Sequence, residues 1–343
     1  MDGDVPGARY LPASAPLRRR LDAVSRARPA LYIFMVIAAA ALAYLFQLRK
    51  DGIFACPADG YAANAFIAEC SASQYGNYEH GAFWFGLEGE ALNAAARAQV
   101  LFLGDSRLQV AFSTSQTTDW FSRAATSYYL LGFGAGENMN FMGRLLEKLS
   151  PKATAYVINA DRFFETWTTR PAKAVLQDAT LEERFAHKRN WQLPHRYICG
   201  TAPMLCGQNF VAFRSRTTGM YQLGGAFDSD GNRIQGSVVS YDHSVNQADV
   251  AKYVPRAEQF LSQLGVPREC VILTVVPYSG TRVGTVQALG AALGLKVVSP
   301  EPEGLRMFDP THLDRASAQA WSQRFYEAAG QQLERCAAAK KAG

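Results

Sequence analysis

The sequence predicts an α/β protein, a parallel sheet with helices on both faces and so three layers, preceded by one N-terminal transmembrane helix. Two observations carry that reading. The stretch PALYIFMVIAAAALAYLFQL runs from Pro29 to Leu48 without a charge, between Arg28 and Arg49, and a helix of that length measures about 30 Å, enough to cross the hydrocarbon core of a bilayer. Farther along, apolar runs of strand length alternate with helical segments, the pattern of strands buried on both faces. The 343 residues, 48% hydrophobic and 19% charged, can fill a sizeable core and have a globular balance.

Residues 1–28 are rich in Arg, Pro and Ala without apolar periodicity and read as a disordered tail. Their six arginines oppose three aspartates, and the positive-inside rule then keeps the tail cytoplasmic and exports the chain beyond the apolar run at 29–48. The expected localisation is the inner (cytoplasmic) membrane, single-pass, with a periplasmic domain. A cleaved signal peptide is the alternative, but the run is longer than a usual signal core, which favours a retained anchor. The whole chain carries +5, which leaves about +2 beyond the tail, too balanced for a nucleic-acid partner. All six cysteines, Cys56, Cys70, Cys199, Cys206, Cys270 and Cys336, lie past the apolar run. Export would allow three disulfides, with Cys199 and Cys206 the natural local pair. With no C-x-x-C pair, and with His80, His187, His195 and His243 lacking partners at ligand spacing, no metal or other cofactor is expected.

Residues 49–88 mix glycines, aromatics and two cysteines and read as an irregular lead-in. The domain proper spans 89–343. EGEALNAAARAQ is helical in composition, VLFLGD is a short apolar run ending in a turn, and TSYYLLGFGAGE is a second strand and glycine turn. NMNFMGRLLEKL is helical and ATAYVINADRFF is a third apolar run. The pattern fails over about 165–260, read as a long insertion with helices of its own. It resumes with PRAEQFLSQLG, the strand CVILTVVPY, the helix TVQALGAALG and the strand LKVVS. A closing amphipathic helix carries Ala318, Trp321, Phe325 and Ala328 or Ala329 at three- and four-residue spacing.

In an open parallel sheet ligands bind beyond the carboxyl ends of the strands. VLFL is followed by Gly104, Asp105 and Ser106, YYLL by Gly132, Gly134 and Gly136, and AYVI by Asn159 and Asp161. In MFDPTHLDRAS, Asp309 and His312 stand three apart just before the closing helix. A serine nucleophile needs a base within hydrogen-bond reach and an acceptor that orients the base, and Asp309 and His312 can supply both to Ser106. Taken alone, Gly-Asp-Ser and Asp-Pro-Thr-His each read equally as capped turns. The glycine cluster lacks the G-x-G-x-x-G spacing of a dinucleotide site. Arg107 is a candidate contact for an anionic or sugar substrate or a plain salt bridge, and Tyr278 a pocket wall or core.

The order of these blocks resembles the SGNH (GDSL-like) hydrolase superfamily over about residues 97–330, with LGDSR and DPTHL the best-matched segments and the insertion unmatched. The resemblance implies a flavodoxin-like sandwich with Ser106 as nucleophile, His312 as base and Asp309 as its orienting acid. It implies an oxyanion hole from the Ser106 N–H, a glycine N–H (Gly136, or Gly134 beside it) and an asparagine side chain. The family's Gly-x-Asn-Asp is here INADRFF, so either Asn159 or Asp161 occupies that place, and an amide donor suits an oxyanion better than a carboxylate. The implied activity is acyl-ester hydrolysis or acyl transfer on an envelope glycan or a small ester, with a multi-spanning membrane O-acyltransferase as a possible partner. A non-catalytic envelope scaffold or glycan-binding subunit and a lipase acting on membrane lipids are the alternatives.

Overall fold

A computed structural model describes residues 29–50, 64–70, 78–206, 211–223 and 239–338. The expectations for the tail at 1–28 and for Cys56 lie outside the described residues. The chain divides into two compact units, 1–51 and 52–343. In the first, α1 (Pro29–Lys50) is a single helix with a mean hydropathy of 2.2 over Pro29–Gln47 and none of that stretch buried. Its length and composition fit a membrane anchor or a signal.

The second unit begins with β1 (Phe66–Cys70), α2 (Tyr78–Trp84) and α3 (Gly89–Arg97). Strand and helix then alternate through β2 (Val100–Asp105), α4 (Ser106–Phe112), α5 (Ser115–Arg123), β3 (Tyr128–Phe133), α6 (Met139–Leu149) and β4 (Ala155–Asn159). Next come α7 (Arg170–Gln177), α8 (Leu181–Thr201), β5 (Val211–Ser215) and β6 (Tyr221–Leu223). The alternation resumes with α9 (Gln247–Ser262), β7 (Val271–Thr274), α10 (Val283–Leu293), β8 (Lys296–Val298) and α11 (Arg315–Ala338).

Five strands form one parallel sheet in the order β3-β2-β4-β7-β8. Alternate residues of each strand serve opposite faces. Leu101, Leu103, Tyr129, Leu131, Tyr156 and Ile158 share one core with apolar residues of α6, α9 and α10. Phe102, Leu130, Val157 and Ile272 share the other with α4, α5 and α11. The central strands are therefore apolar over most of their length, with their polar residues near the carboxyl ends, and helices cover both faces of the sheet. The closing helix buries Ala318, Trp321, Phe325 and Ala329, each large side chain contributing on the order of 2 kcal/mol. Its last turn is tied to the residue before β7 by the Cys270–Cys336 disulfide, and Cys199 pairs with Cys206 at the end of α8.

The described parts of the lead-in and the insertion contain strands that their sequence did not suggest. β1, from the lead-in, pairs antiparallel with β5, from the insertion, and β5 with β6, giving a small sheet in the order β1-β5-β6. β1 and β5 lie far apart in sequence, which is why no local pattern announced their pairing. This sheet covers β3, the edge strand of the main sheet: the Leu130 N–H donates to the Thr218 carbonyl at 2.9 Å. The Arg214 guanidinium donates to the Leu130 carbonyl at 2.6 Å and also to that of Gly132. An uncovered edge would present those groups to another chain.

Arg214 is fully buried. Its guanidinium meets Glu79 of α2 at 2.7 and 3.0 Å and lies 5.0 to 5.5 Å from the rings of Phe83, Phe133 and Tyr221. Burial works against its charge, and Glu79 outweighs burial and keeps it protonated. Removing one partner of such a pair strands the other charge in the core. Arg214→Met is expected to lower unfolding free energy by roughly 3–5 kcal/mol. Glu79→Gln with Arg214→Met should cost less than the sum of the single changes when urea midpoints are compared in a double-mutant cycle.

Candidate active site

The site is assembled at the carboxyl end of the sheet, where the strand order reverses between β2 and β4, the place such sheets bind ligands. As β2 ends, Asp105 is in an extended conformation and its carboxylate accepts the Arg107 N–H at 3.0 Å. Asp105 is thus the N-cap of α4, and Ser106 is the first helical residue, its hydroxyl free of capping duty. Close packing here requires Gly104, since a Cβ on it would stand 3.0 Å from that of Asn159 and 3.2 Å from that of Leu108.

The second contribution is the turn ahead of α11. Asp309 accepts the backbone N–H groups of Thr311 and His312 through Oδ1 at 2.7 and 2.8 Å, an Asx turn. Its Oδ2 then lies 2.7 Å from His312 Nδ1, and His312 Nε2 lies 2.9 Å from Ser106 Oγ. Phe308 stacks on the imidazole at a centroid distance of 5.6 Å and limits its rotation. Partial burial raises the Asp309 pKa. The His312 hydrogen bond and charge, with the two N–H groups, outweigh that and hold it below the usual carboxylate range. A hydroxyl bonded to an imidazole so held can pass its proton to Nε2 as it attacks.

The glycine turn after β3 closes one side. Ala135 and Gly136 have φ of 61° and 69°, left-handed values that suit glycine. Gly136 lines a pocket of about 290 Å³ together with Ser106, and its N–H finds no acceptor among the described residues. Gly134 is not part of that lining. Behind the turn Glu137 is buried, bonded to His80 of α2 at 2.9 Å and to Thr169 at 2.7 Å, while the Asn138 N–H donates to it at 3.2 Å. The His80 ring sits about 5 Å from those of Phe133 and Phe141. Nothing in local spacing links His80 to Glu137, which stand 57 residues apart.

The structure gives three of the candidate residues other partners. The Asn159 carboxamide does not face the pocket as a free donor: it donates to Asp105 at 3.3 Å and accepts the Val276 N–H at 3.1 Å, fully buried between β2 and β7. Asp161 does line the pocket, but as a carboxylate accepting from Arg107 at 2.7 Å it has no proton for an oxyanion. Arg107 is no free substrate cation either. Its guanidinium donates to Asp105 at 2.9 and 2.7 Å and to Asp161, it stacks on Tyr278 at 4.6 Å, and it is 8% exposed. Burial lowers its pKa, but Asp105 and Asp161 prevail and keep it charged. Arg282 approaches the far oxygen of Asp161 at 3.6 Å and bonds Asp249 at 2.6 Å. Among the pocket residues that escaped notice in the sequence are the exposed Arg162 and Trp167, because both sit in an aperiodic loop. Among the described residues no group of three or more His, Cys, Asp or Glu has the geometry to hold a metal.

Arg107→Met would leave two buried carboxylates without their counter-ion and is expected to cost roughly 3–5 kcal/mol by urea unfolding. Asp309 titrates lower folded than unfolded, so its contribution is complete above the unfolded value of about 4 and fades as pH falls through the folded one. The stability gap between wild type and Asp309→Asn should therefore hold at neutral pH and narrow below about pH 4. A gap that widened on acidification would contradict this assignment.

No family model, no curated protein and no solved structure matches the chain.

Proposed function

We propose that this chain is an SGNH-type serine esterase or O-acyltransferase, tethered by α1 and acting outside the cytoplasm on the acyl groups of an envelope glycan. The observation that carries the reading is the Ser106–His312–Asp309 chain of contacts at 2.9 and 2.7 Å, between residues 206 apart in sequence. The strand order of the main sheet, 2-1-3-4-5 when its strands are numbered by themselves, is the flavodoxin-like one and supports the same family. Two disulfides favour an oxidising compartment, and α1 fits the tether.

In the proposed reaction Ser106 Oγ attacks the ester carbonyl carbon while His312 Nε2 takes the hydroxyl proton. The N–H groups of Ser106 and Gly136 receive the developing oxyanion. Collapse of the tetrahedral intermediate breaks the bond to the leaving alkoxide, which takes the proton from His312, and the acyl group remains on Ser106. Water, or the hydroxyl of a second glycan, then attacks with His312 as base again, and both routes share the acyl-enzyme. A transferase of this type would draw its acyl groups from a membrane O-acyltransferase partner, as the family resemblance implies. A scaffold has no need of an imidazole 2.9 Å from the serine, and a pocket of about 290 Å³ suits a short acyl group better than a lipid chain.

The full-length protein in detergent is expected to be labelled by a fluorophosphonate probe, with labelling absent in Ser106→Ala. Turnover of a small acyl ester should fall by roughly 10²–10⁴-fold in His312→Ala. Equal labelling of wild type and Ser106→Ala would overturn the proposal.

A further inference from the structure

The pocket holds one arginine whose charge is already spent and one whose charge is not. Arg107 is enclosed by Asp105 and Asp161. Arg162, next in the chain to Asp161, is exposed, lines the same pocket, and forms no side-chain hydrogen bond or ion pair among the described residues. Its φ is 63°, a left-handed value that non-glycine residues avoid and that tends to persist where a side chain has to be aimed. The cause is visible on either side: Asp161 is held inward by Arg107, and Phe163 is buried in the core. The reversal between them turns Arg162 outward to the pocket.

The rest of the loop is braced for a surface role. Asn138 donates to the Trp167 carbonyl at 2.8 Å, and Asn140 donates to the Thr168 hydroxyl at 2.7 Å. The Met139 N–H donates to the Phe163 carbonyl at 2.9 Å. Yet Trp167 is 45% exposed, with its ring edge 3.6 Å from where a Gly136 Cβ would be. A large apolar ring left in the open, on a backbone held in place, beside the candidate serine and an unpaired guanidinium is unusual for a residue of purely structural value.

We infer that Arg162 and Trp167 form the recognition subsite for an anionic sugar, the guanidinium binding its carboxylate or phosphate and the indole face stacking on its ring. The inference rests on the proposed esterase reading, for which it names the substrate class. A guanidinium offers paired donors to either anion. The pyranose presents its C–H face to the indole, and its ester is brought to Ser106 across the same pocket.

The test is equilibrium binding of methyl glucoside, methyl glucuronide and glucose 6-phosphate to the full-length protein by calorimetry. Wild type should bind at least one of the two charged sugars ten-fold or more tighter than the neutral one, and which one separates a carboxylate from a phosphate ligand. Arg162→Asn, a residue tolerated at left-handed φ, should erase the preference, and Arg162→Lys should restore part of it. Trp167→Ala should weaken the binding of each sugar that wild type binds. Arg123→Ala, removing an exposed arginine on α5, should change none of them. Equal binding of all three sugars by wild type, failure of both charged sugars to bind, or a preference that survives in Arg162→Asn would overturn the inference. Fluorophosphonate labelling of Ser106 in the same preparation separates the two readings, since labelled protein without a charged-sugar preference refutes the subsite alone.

Discussion

Asp105, Arg107 and Asp161 form a buried ionic cluster on which the geometry at the carboxyl end of the sheet depends. Asp105 closes the amino end of α4 with one oxygen and holds Arg107 with the other, so the residues flanking Ser106 are both fixed. Arg107 reaches across to the loop after β4, and Arg282 carries the connection through Asp161 to Asp249 on α9. Such a cluster is costly to desolvate, and its net contribution to stability is small beside the penalty for breaking it. What it supplies is position. β2, β4 and α4 cannot shift against one another without separating charges in a medium that screens them poorly.

The same cluster sets the electrostatics of the site. In the proposed reaction two carboxylates near Ser106 would oppose the oxyanion, and Arg107, with Arg282 3.6 Å from the far oxygen of Asp161, offsets part of that field. Asn159 belongs to this frame too, since its amide bridges Asp105 and the Val276 N–H. A residue type that could have served the oxyanion is here built into the support beneath the serine. The Glu137 and His80 pair does the equivalent for the glycine turn, holding it from the side opposite the pocket.

How much of the molecule is legible in the sequence depends on the range of each interaction. The strands β2, β3 and β4 were legible because burial on both faces makes their apolar runs continuous, and the closing helix because Trp321 and Phe325 keep helical spacing. Ser106, Asp309 and His312 were legible because a strand-end turn and an Asp-x-x-His turn are local patterns. The pairing of β1 with β5 and the bond between His80 and Glu137 were not, being contacts between distant segments without a period of their own. Asn159 misled for a different reason. It stands at the carboxyl end of β4, where the apolar run stops, but whether an amide points into a pocket or back into the frame is decided by neighbours from β2 and β7.

The consequence for the proposed chemistry is quantitative. With Asn159 committed to the frame, two N–H groups remain for the oxyanion, and one donor is worth roughly 3 kcal/mol at the transition state. That is a loss of about two powers of ten in rate. A freely diffusing esterase would show that loss directly in its flux. On the proposed reading, a tether to the layer that holds the substrate would raise its effective concentration, and recognition energy from the inferred Arg162 and Trp167 subsite would go toward orienting the ester at Ser106. Both compensations act away from the reacting atoms. Selection on such a chain would then fall more on the anchor and the pocket rim than on a third oxyanion donor.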